Sequence, residues 1–296
     1  MLINDLNFEK SLSPSISRHS INNLSILKIQ SSLCEAAISL HGGHLLQFKP
    51  AGEKDIIWLS DKAIYSPEKA IRGGIPVCWP WFGTIGSPSH GFARISPWQL
   101  MNWQESEEAV VITLGLSASE QTKAIWPHEF SATLTFRLSA SLKTTLTVTN
   151  TGATPWRWSG ALHSYFQIAE ATETSITGAG KDYIDSLQSV DKCKSTGDLL
   201  INQSIDRVYT TPDESIIIHD KENQRRLSIR NTGSNAAVIW NPWDEISKGM
   251  ADMDDDGYKT MVCVESTNFA DNLESGTLLS PEETHQLTTE ISILPQ

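Results

Sequence analysis

The chain contains 296 residues, 39% of them hydrophobic, and its 35 acidic side chains outnumber the 23 lysines and arginines, giving a net charge of −12. A surface of this sign repels nucleic-acid phosphates and acidic lipid headgroups, which argues against a nucleic-acid or membrane partner. A phosphorylated ligand would have to bind against this field, so arginines inside a pocket would be informative.

The N-terminal sequence and the cysteines indicate a cytoplasmic protein. The segment MLINDLNFEKSLSPS lacks the basic stretch and long apolar run of a secretion signal. No apolar run reaches the roughly 18 residues that cross a bilayer. The cysteines are far apart and form no C-x-x-C pair, so we expect reduced thiols and neither a disulfide framework nor a metal site. They are Cys34, Cys78, Cys193 and Cys263.

Alternating apolar and polar residues, many of them β-branched, predict a chain made mostly of short strands. One short helix is predicted around Glu120–Ile125. Strands roughly ten residues apart, without an internal repeat or a linker, indicate an all-β antiparallel sandwich in a single domain over residues 1–296. The predicted strands are Leu24–Ile29, Val110–Leu114, Ala132–Leu138, Leu142–Thr149, Ile216–His219, Arg226–Arg230, Ala236–Trp240, Met261–Glu265 and Leu287–Ile293.

Three segments break the strand pattern, namely Ile71–Arg94, Gly160–Phe166 and Trp240–Gly257. Long irregular connections on a rigid β scaffold are where binding and catalysis usually occur. We therefore expect the functional residues in these segments and at the strand ends beside them.

The first segment contains two arginines, Arg72 and Arg94, on either side of paired glycines, prolines and aromatic residues. Such a composition predicts a fixed, non-repetitive backbone. Guanidinium groups suit phosphate oxygens by both geometry and charge. The alternative, that both arginines form surface or structural ion pairs, is the commoner case for this spacing alone.

The second segment places His163 in an apolar and aromatic run, Ala161–Phe166. A lone histidine in such a run is more often a core or surface residue than a catalyst. Its functional value would be a pKa near neutrality, which lets it give and take a proton. Both interpretations remain open from the residues alone.

A third candidate is Glu265, at the end of the hydrophobic strand Met261–Glu265. A carboxylate there can cap a neighbouring backbone or pair with a cation. It can also act as a base whose proton affinity is raised by apolar surroundings. The sequence does not favour one reading over the other.

An acidic run, Asp252–Asp256 followed by Gly257, matches the opening of an EF-hand calcium loop. Position 12 of that loop, where a bidentate glutamate is needed, is Cys263, and the flanking sequence reads as strand. A solvated acidic turn is therefore favoured over a calcium site.

Read together, these segments make the chain resemble the hexose-6-phosphate mutarotases (glucose-6-phosphate 1-epimerases) of the aldose 1-epimerase superfamily. Each fragment alone is weak evidence, but all of them in one order are specific and cover nearly the whole chain. The fragments are His41–Phe48, Arg72–Gly83, His90–Arg94, Leu162–Phe166, Asp206–Tyr209, Trp240–Trp243 and Val262–Glu265.

The resemblance implies a β-supersandwich and a reaction that needs neither metal nor other cofactor. His163 would be the general acid and Glu265 the general base. Glu265 would take the proton of the anomeric hydroxyl while His163 protonates the ring oxygen. The ring would open to the aldehyde, rotate about its C1–C2 bond and close from the other face.

The resemblance also implies the substrate-binding residues. Arg72 and Arg94 would bind the phosphate or nearby oxygens, Asp206 would accept hydrogen bonds from sugar hydroxyls, and His90 would contact the ring. Ser89 occupies a place where the family often has glutamine, and it is a further candidate contact. The expected ligand is a small-molecule sugar phosphate, and the expected assembly is a monomer.

Three other functions can be compared with these residues. An aldose 1-epimerase for unphosphorylated sugars would share the acid and base, so only the arginines argue against it. A non-catalytic carbohydrate-binding or regulatory module would use the ten tryptophans as stacking platforms, but it needs neither a proton donor nor a base. A glycosidase normally uses two carboxylates, whereas the predicted pair is a carboxylate and an imidazole.

Overall fold

A computed structural model describes residues 6–295, except for the side chain of Asp191. Two short α-helices are present among these residues, α1 (Glu120–Ile125) and α2 (Trp243–Lys248), and everything else regular is strand or single 3-10 turns. The terminal residues of the predicted domain, 1–5 and 296, lie outside the described residues. The strands are β1 (Asn7–Ser11), β2 (Ile16–Ile21), β3 (Leu24–Gln30), β4 (Cys34–Ser39), β5 (His44–Pro50), β6 (Val77–Cys78), β7 (Gln99–Glu105), β8 (Val110–Ser117), β9 (Phe130–Leu138), β10 (Leu142–Asn150), β11 (Trp156–Trp158), β12 (Gly160–Leu162), β13 (Tyr165–Gln167), β14 (Thr174–Thr177), β15 (Asp182–Asp185), β16 (Val190–Lys194), β17 (Leu199–Leu200), β18 (Ile205–Tyr209), β19 (Ile216–Asp220), β20 (Arg225–Thr232), β21 (Ala236–Asn241), β22 (Met261–Asn268), β23 (Thr277–Leu279) and β24 (Thr284–Leu294).

The strands form three large antiparallel sheets and one small one. The first sheet has the order β1-β2-β3-β4-β5, and the second, with nine strands, has the order β17-β14-β19-β20-β24-β10-β9-β8-β7. The third has the order β16-β15-β18-β21-β22-β12-β6, with β13 added to β22, while β11 and β23 form a separate pair. The prediction of an all-β, antiparallel architecture is confirmed.

The predicted strands and the predicted helix are confirmed, with ends that differ by a few residues. The segment Gly160–Phe166 was predicted to be irregular, and this is wrong in part, because it contains β12 and most of β13. Each strand is only three residues long, too short to show an alternation in the sequence. Helix α2 lies inside Trp240–Gly257, another segment predicted to be irregular.

Alternation fixes which side chains form the core of the nine-stranded sheet. In β9 and β10 every second residue is buried, and the register places Leu146 opposite both Leu134 and Leu287 on the neighbouring strands. Burying one such leucine stabilises the fold by about 1.5–3 kcal/mol. The same apolar cluster takes residues from all three large sheets, which supports the single domain over 1–296 that stays a prediction.

Most of the tryptophans belong to the core and are not stacking platforms. Trp79 is fully buried and meets Trp126 and Phe130 edge to face. Such contacts add about 0.5–1.5 kcal/mol beyond the area they bury. Trp240 differs, because it is half-buried and its ring is 6.2 Å from that of His163.

Strand β22 is buried along its whole length, so its alternation separates two interior environments. Val262 and Val264 belong to the main apolar cluster, and the Ser266 hydroxyl donates to the Thr288 carbonyl of β24. The alternate residues, Cys263 and Glu265, point to the opposite face. This strand therefore carries a carboxyl group into the interior.

Acidification is expected to destabilise the protein through His44. This side chain is fully buried, its Nε2 lies 2.7 Å from the Gly73 carbonyl oxygen, and desolvation lowers its pKa to about 3. In the unfolded chain His44 binds a proton as the pH falls through 6.5, whereas in the folded chain it stays neutral until the pH approaches 3. The stability associated with neutral His44 is thus complete above pH 6.5 and is lost as the pH falls from there toward 3, at about 1.4 kcal/mol per pH unit.

Urea unfolding between pH 8 and pH 5 measures this effect in the parent and in His44→Gln. At pH 8 the difference between the two proteins gives the cost of the lost packing alone. Below pH 6.5 the dependence of the unfolding free energy on pH should be shallower in the variant by about one proton. An unchanged dependence would show that His44 does not contribute to acid unfolding.

Candidate active site

His163 and Glu265 meet where β12 and β13 both pair with β22. Leu162 lies opposite Ser266, and Tyr165 lies opposite Cys263, so the break between the two short strands faces Glu265. The His163 backbone N–H donates to the Pro76 carbonyl, which fixes the break. His163 Nε2 then lies 3.3 Å from Glu265 Oε1; the two side chains are 11% and 1% exposed.

Aromatic rings hold the imidazole of His163 in one plane. The Tyr165 ring stacks on it with centroids 4.8 Å apart and planes 9° apart, and Trp58 stacks on the other side of Tyr165 at 5.8 Å. Trp240 approaches His163 edge-on. The stacked Tyr165 ring and the edge-on Trp240 ring leave the imidazole little rotational freedom, which suits a group that must exchange a proton at a fixed position.

Arg72 connects this aromatic stack to the acidic run Asp252–Asp256. Its Nη1 donates to the Tyr165 hydroxyl at 3.0 Å, and its Nε lies 3.2 Å from Asp252 Oδ1. The guanidinium is half-buried and lowers the pKa of both His163 and His90, so it lies close to both. The structure thus gives Arg72 an internal ion pair and a position beside the His163–Glu265 pair.

Arg94 reaches the same region from a short 3-10 helix, residues Ala93–Ile95. Its Nη2 donates to the Ser89 carbonyl at 2.8 Å, and the Ser89 hydroxyl donates to the Gly83 carbonyl at 3.3 Å. Arg94 lowers the pKa of Glu265 and of His163. Arg94 therefore acts on both members of the pair.

His90 adopts a left-handed backbone conformation (φ 62°) that turns its ring toward His163, with centroids 5.9 Å apart. Its Nδ1 accepts a hydrogen bond from the Gly83 N–H at 3.3 Å, which leaves the proton of the neutral ring on Nε2. Desolvation, then Arg94 and Arg72, lowers its pKa to about 3. His90 therefore presents a neutral N–H donor at working pH.

Gly91 makes this conformation possible. Its φ is 72°, and a Cβ there would overlap the carbonyl oxygen of Trp79 in the neighbouring backbone. Trp79 and Gly91 form a parallel bridge, so the two backbones must approach closely. Only glycine satisfies both conditions at this position.

Asp206 completes the charged surroundings from β18. It pairs in register with Trp240 of β21, which in turn lies opposite Cys263 of β22. The side chain is half-buried, and burial raises its pKa while a hydrogen bond from Ser186 lowers it. Its charge raises the pKa of Glu265.

The His163–Glu265 pair is arranged to hold one proton without carrying separated charges. Desolvation raises the pKa of Glu265 well above its ordinary value, and desolvation lowers the pKa of His163 well below its own. Both shifts favour the neutral forms of the two groups before a ligand binds. Glu265 Oε2 and His163 Nδ1 are buried and have no hydrogen-bond partner among the described residues.

The acidic run Asp252–Asp256 forms an ion-paired surface turn. Asp254 pairs with Lys62 at 3.0 Å and Asp256 with Lys259 at 3.0 Å. A 3-10 turn (Gly257–Thr260) and then β22 follow, where an EF-hand would have its second helix. The turn predicted from the sequence agrees with this arrangement.

Four residues near the pair were not assigned a role from the sequence, namely Tyr165, Trp240, Asp252 and Cys263. Two of them had a usable signal, because each lies two positions from a predicted catalytic residue. Cys263 shares a face of β22 with Glu265, and Tyr165 begins β13 two positions after His163. Ligand atoms of Cys263, His163 and Glu265 all lie within 4.8 Å of one another. These three could together hold a metal ion.

Comparison with known proteins gives a consistent result. The family model described as "Aldose 1-epimerase" matches residues 25–292. A protein of Escherichia coli (strain K12) named "Putative glucose-6-phosphate 1-epimerase" is 36% identical over 91% of this chain and 92% of its own length. A protein of the same name from Salmonella typhimurium is 36% identical over 86% of this chain and 87% of its own.

Comparison with solved structures gives the same result. The crystal structure of a "putative mutarotase" from Salmonella typhimurium has a TM-score of 0.93 and 32% identity, with both chains covered completely. A galactose 1-epimerase from Lactobacillus acidophilus shares the fold alone, with a TM-score of 0.71, 13% identity and 98% of both chains covered. The predicted mutarotase-like supersandwich is confirmed.

No helix within residues 6–295 has the length and hydropathy needed to span a membrane. The chain belongs to the aldose 1-epimerase family.

Proposed function

We propose that this protein interconverts the α and β anomers of a D-hexose 6-phosphate by acid–base ring opening and reclosure. The observation that carries the proposal is the 3.3 Å separation of His163 Nε2 and Glu265 Oε1 in a buried site flanked by two arginines. Membership of the family and the names of the curated relatives support the same reaction.

The chemistry needs an acid and a base that are close together. The two oxygens that change protonation, the anomeric hydroxyl and the ring oxygen, are both bonded to C1. Side chains a few ångströms apart can therefore serve both, and the His163–Glu265 pair has this spacing. One proton leaves the hydroxyl as another arrives at the ring oxygen, so the pair keeps its total of one proton throughout.

The assigned roles are Glu265 as base and His163 as acid. The pair reacts with its proton on His163 and with Glu265 as the carboxylate, the state that a bound phosphate favours by raising the pKa of His163. Ring opening takes the anomeric proton to the Glu265 carboxylate and delivers the His163 proton to the ring oxygen. Rotation about C1–C2 then exposes the other face of the aldehyde. Reclosure reverses both transfers and returns the pair to its starting state.

The arginines explain a preference for a phosphorylated sugar. The 6-phosphate is attached through C6 to C5, which carries the ring oxygen, so the phosphate must bind on the side of the acid. Arg94 and Arg72 both act on the pKa of His163. A phosphate dianion beside them would offset their charge and raise the pKa of His163, which favours the protonated form that the acid requires.

Three further residues are assigned to the sugar itself. Burial raises the pKa of Asp206, and a hydrogen bond from Ser186 opposes this shift by favouring the carboxylate. A carboxylate accepts hydrogen bonds, so we assign Asp206 to the sugar hydroxyls. His90 donates from Nε2 to a ring oxygen or hydroxyl. Ser89 is exposed and next to His90, and we assign it as a substrate contact at the rim of the site.

The rate of anomer exchange measured on two sugars tests this function. Glucose 6-phosphate and galactose are supplied as pure anomers, and their equilibration is followed by polarimetry or NMR with and without the protein. We expect strong acceleration for the phosphate ester and little for galactose. Acceleration of galactose alone would instead identify an aldose 1-epimerase for unphosphorylated sugars, and acceleration of neither would identify a binding module.

The remaining expectations are a monomer acting in the cytoplasm on a free sugar phosphate. A phosphate ester does not cross a bilayer unaided, which ties the enzyme to the compartment where the ester is made. Light scattering combined with size-exclusion chromatography should give a mass near 32.7 kDa.

A further inference from the structure

We infer that His163, Glu265 and Cys263 also form a binding site for one thiophilic divalent cation, with Zn²⁺ as the probe, and that its binding inhibits the enzyme. The inhibitory consequence rests on the proposed function, because the cation would occupy both the acid and the base. The binding site itself rests on geometry alone. Below, these three residues are called the His–Cys–Glu site.

The spacing of the three side chains suits a tetrahedral metal. The ligand atoms lie within 4.8 Å of one another, and His163 Nε2 is already 3.3 Å from Glu265 Oε1. Tetrahedral Zn²⁺ with nitrogen, oxygen and sulfur ligands separates them by roughly 3.3–3.6 Å. Completing three ligands requires the largest of these separations, at most 4.8 Å, to close to that range. A tetrahedral ion would have one further position for water or a sugar oxygen.

The backbone holds the three ligands in place without a metal. Cys263 and Glu265 are two positions apart on β22 and so share one face of a fully buried strand. His163 is fixed across from them by the register of β12 and β13 and by its stacking on Tyr165. Metal binding would therefore demand little reorganisation.

Buried atoms without partners point to a ligand. Glu265 is 1% exposed, and its Oε2 has no hydrogen-bond partner in the described part of the chain. Buried carboxyl oxygens usually have a partner because an unsatisfied one costs about 1–3 kcal/mol. A cation at the His–Cys–Glu site would satisfy the carboxylate directly.

The charges around the site permit a cation. Asp206 lies in the same row of the sheet as Cys263, with Trp240 between them, so its negative charge is near the site and favours binding. Arg72 opposes it but is paired with Asp252. Arg94 also opposes it, and its hydrogen bond goes to a neutral carbonyl, that of Ser89.

Binding exchanges protons for the metal. The metal-free Cys263 is a thiol at neutral pH, because the ordinary pKa of a cysteine is about 8.5. Zn²⁺ forms a bond to sulfur as the S–H proton leaves for the buffer, and any proton on the Glu265 carboxyl is displaced in the same way. A hard cation such as Mg²⁺ prefers oxygen ligands and should not bind here.

The test uses the full chain and combines a spectrum with a rate. Titration with Co²⁺ should produce a thiolate-to-cobalt absorbance band with one equivalent, and Zn²⁺ should displace it. In parallel, chelator-buffered Zn²⁺ should inhibit exchange of glucose 6-phosphate anomers, whereas Mg²⁺ should not. A chelator should restore the initial rate.

Cys263→Ser removes the sulfur ligand, and Cys193→Ser is the matched control at a half-exposed thiol elsewhere. We expect the first change to weaken inhibition at least about 100-fold and to abolish the cobalt band, since loss of even an outer partner costs 10–100-fold in affinity. The second should change neither. Cys263→Ala repeats the measurement if the serine variant is poorly folded.

Two outcomes would overturn the inference. One is the absence of a thiolate band in the parent protein, and the other is a band and an inhibition constant that Cys263→Ser leaves unchanged. The cobalt titration needs no activity, so it judges the site even if exchange of glucose 6-phosphate anomers fails to appear. That failure would instead count against the proposed function.

Discussion

Replacing His163 by alanine, or Glu265 by glutamine, should reduce the exchange of glucose 6-phosphate anomers by about 10²–10⁴-fold, the usual contribution of a positioned acid or base. The glutamine variant is the sharper of the two, because it keeps the shape of the side chain and removes only its capacity to exchange a proton. Polarimetry with a pure anomer gives both rates after subtraction of the spontaneous reaction.

The double variant tests whether the two groups act as a unit. The buried pair holds one proton and passes it between two oxygens on the same carbon, so removing either group disables the other. We therefore expect the double variant to be about as slow as the slower single variant, well short of the product of the two losses. Losses that multiply would indicate independent roles.

Stability measurements separate this effect from misfolding. His219→Ala is a matched control, because His219 lies on β19 of the nine-stranded sheet, and its ring forms a hydrogen bond with Thr177 on β14. It should keep the parental rate. Glu265→Gln should unfold at or above the parental temperature, since burial raises the pKa of Glu265 and penalises its charged form. Near-parental anomer exchange in a folded Glu265→Gln or His163→Ala protein would refute the assignment.

Replacing Arg94 by glutamine should raise the Michaelis constant for glucose 6-phosphate by about 10- to 150-fold, the equivalent of one charged hydrogen bond worth 1.5–3 kcal/mol. The same change should alter the constant for free glucose by less than about threefold, because that sugar lacks the phosphate. Initial rates over a range of both sugars provide the comparison.

Arg72→Gln should behave differently from Arg94→Gln. Arg72 also binds Asp252 and the Tyr165 hydroxyl, and Tyr165 stacks on His163. Its loss should raise the Michaelis constant for the phosphate ester and, in addition, slow the reaction of both sugars. Arg137→Gln, at a half-exposed position on β9, is the matched control and should change neither constant. Equal effects of Arg94→Gln on both sugars would make Arg94 a structural residue.

Alternation predicted the all-β antiparallel class, and the family resemblance supplied the supersandwich. Strands such as β9 and β10 were predictable because every second residue is buried, and this pattern is a local property of the chain. The short strands β12 and β13 were not, since three residues cannot display a period. Their existence depends on β22, a strand far along the chain with which they pair.

The candidate site divides in the same way. The sequence suggested His163, Glu265, Arg72 and Arg94 one by one, and it left each with a structural alternative. Only the tertiary structure placed His163 Nε2 3.3 Å from Glu265 Oε1 and gave Arg72 both an ion pair and a place beside the imidazole.

The physical reason is that strand register is set between distant segments. The local alternation of apolar and polar residues indicates whether a side chain faces inward. Its neighbours across the sheet depend on which strands pair and in which register. The pKa shifts of the buried pair arise mainly from desolvation, which no local pattern reveals. The sequence by itself therefore determined the kind of fold and the candidate groups, and only the folded sheets decided which of those groups could act together.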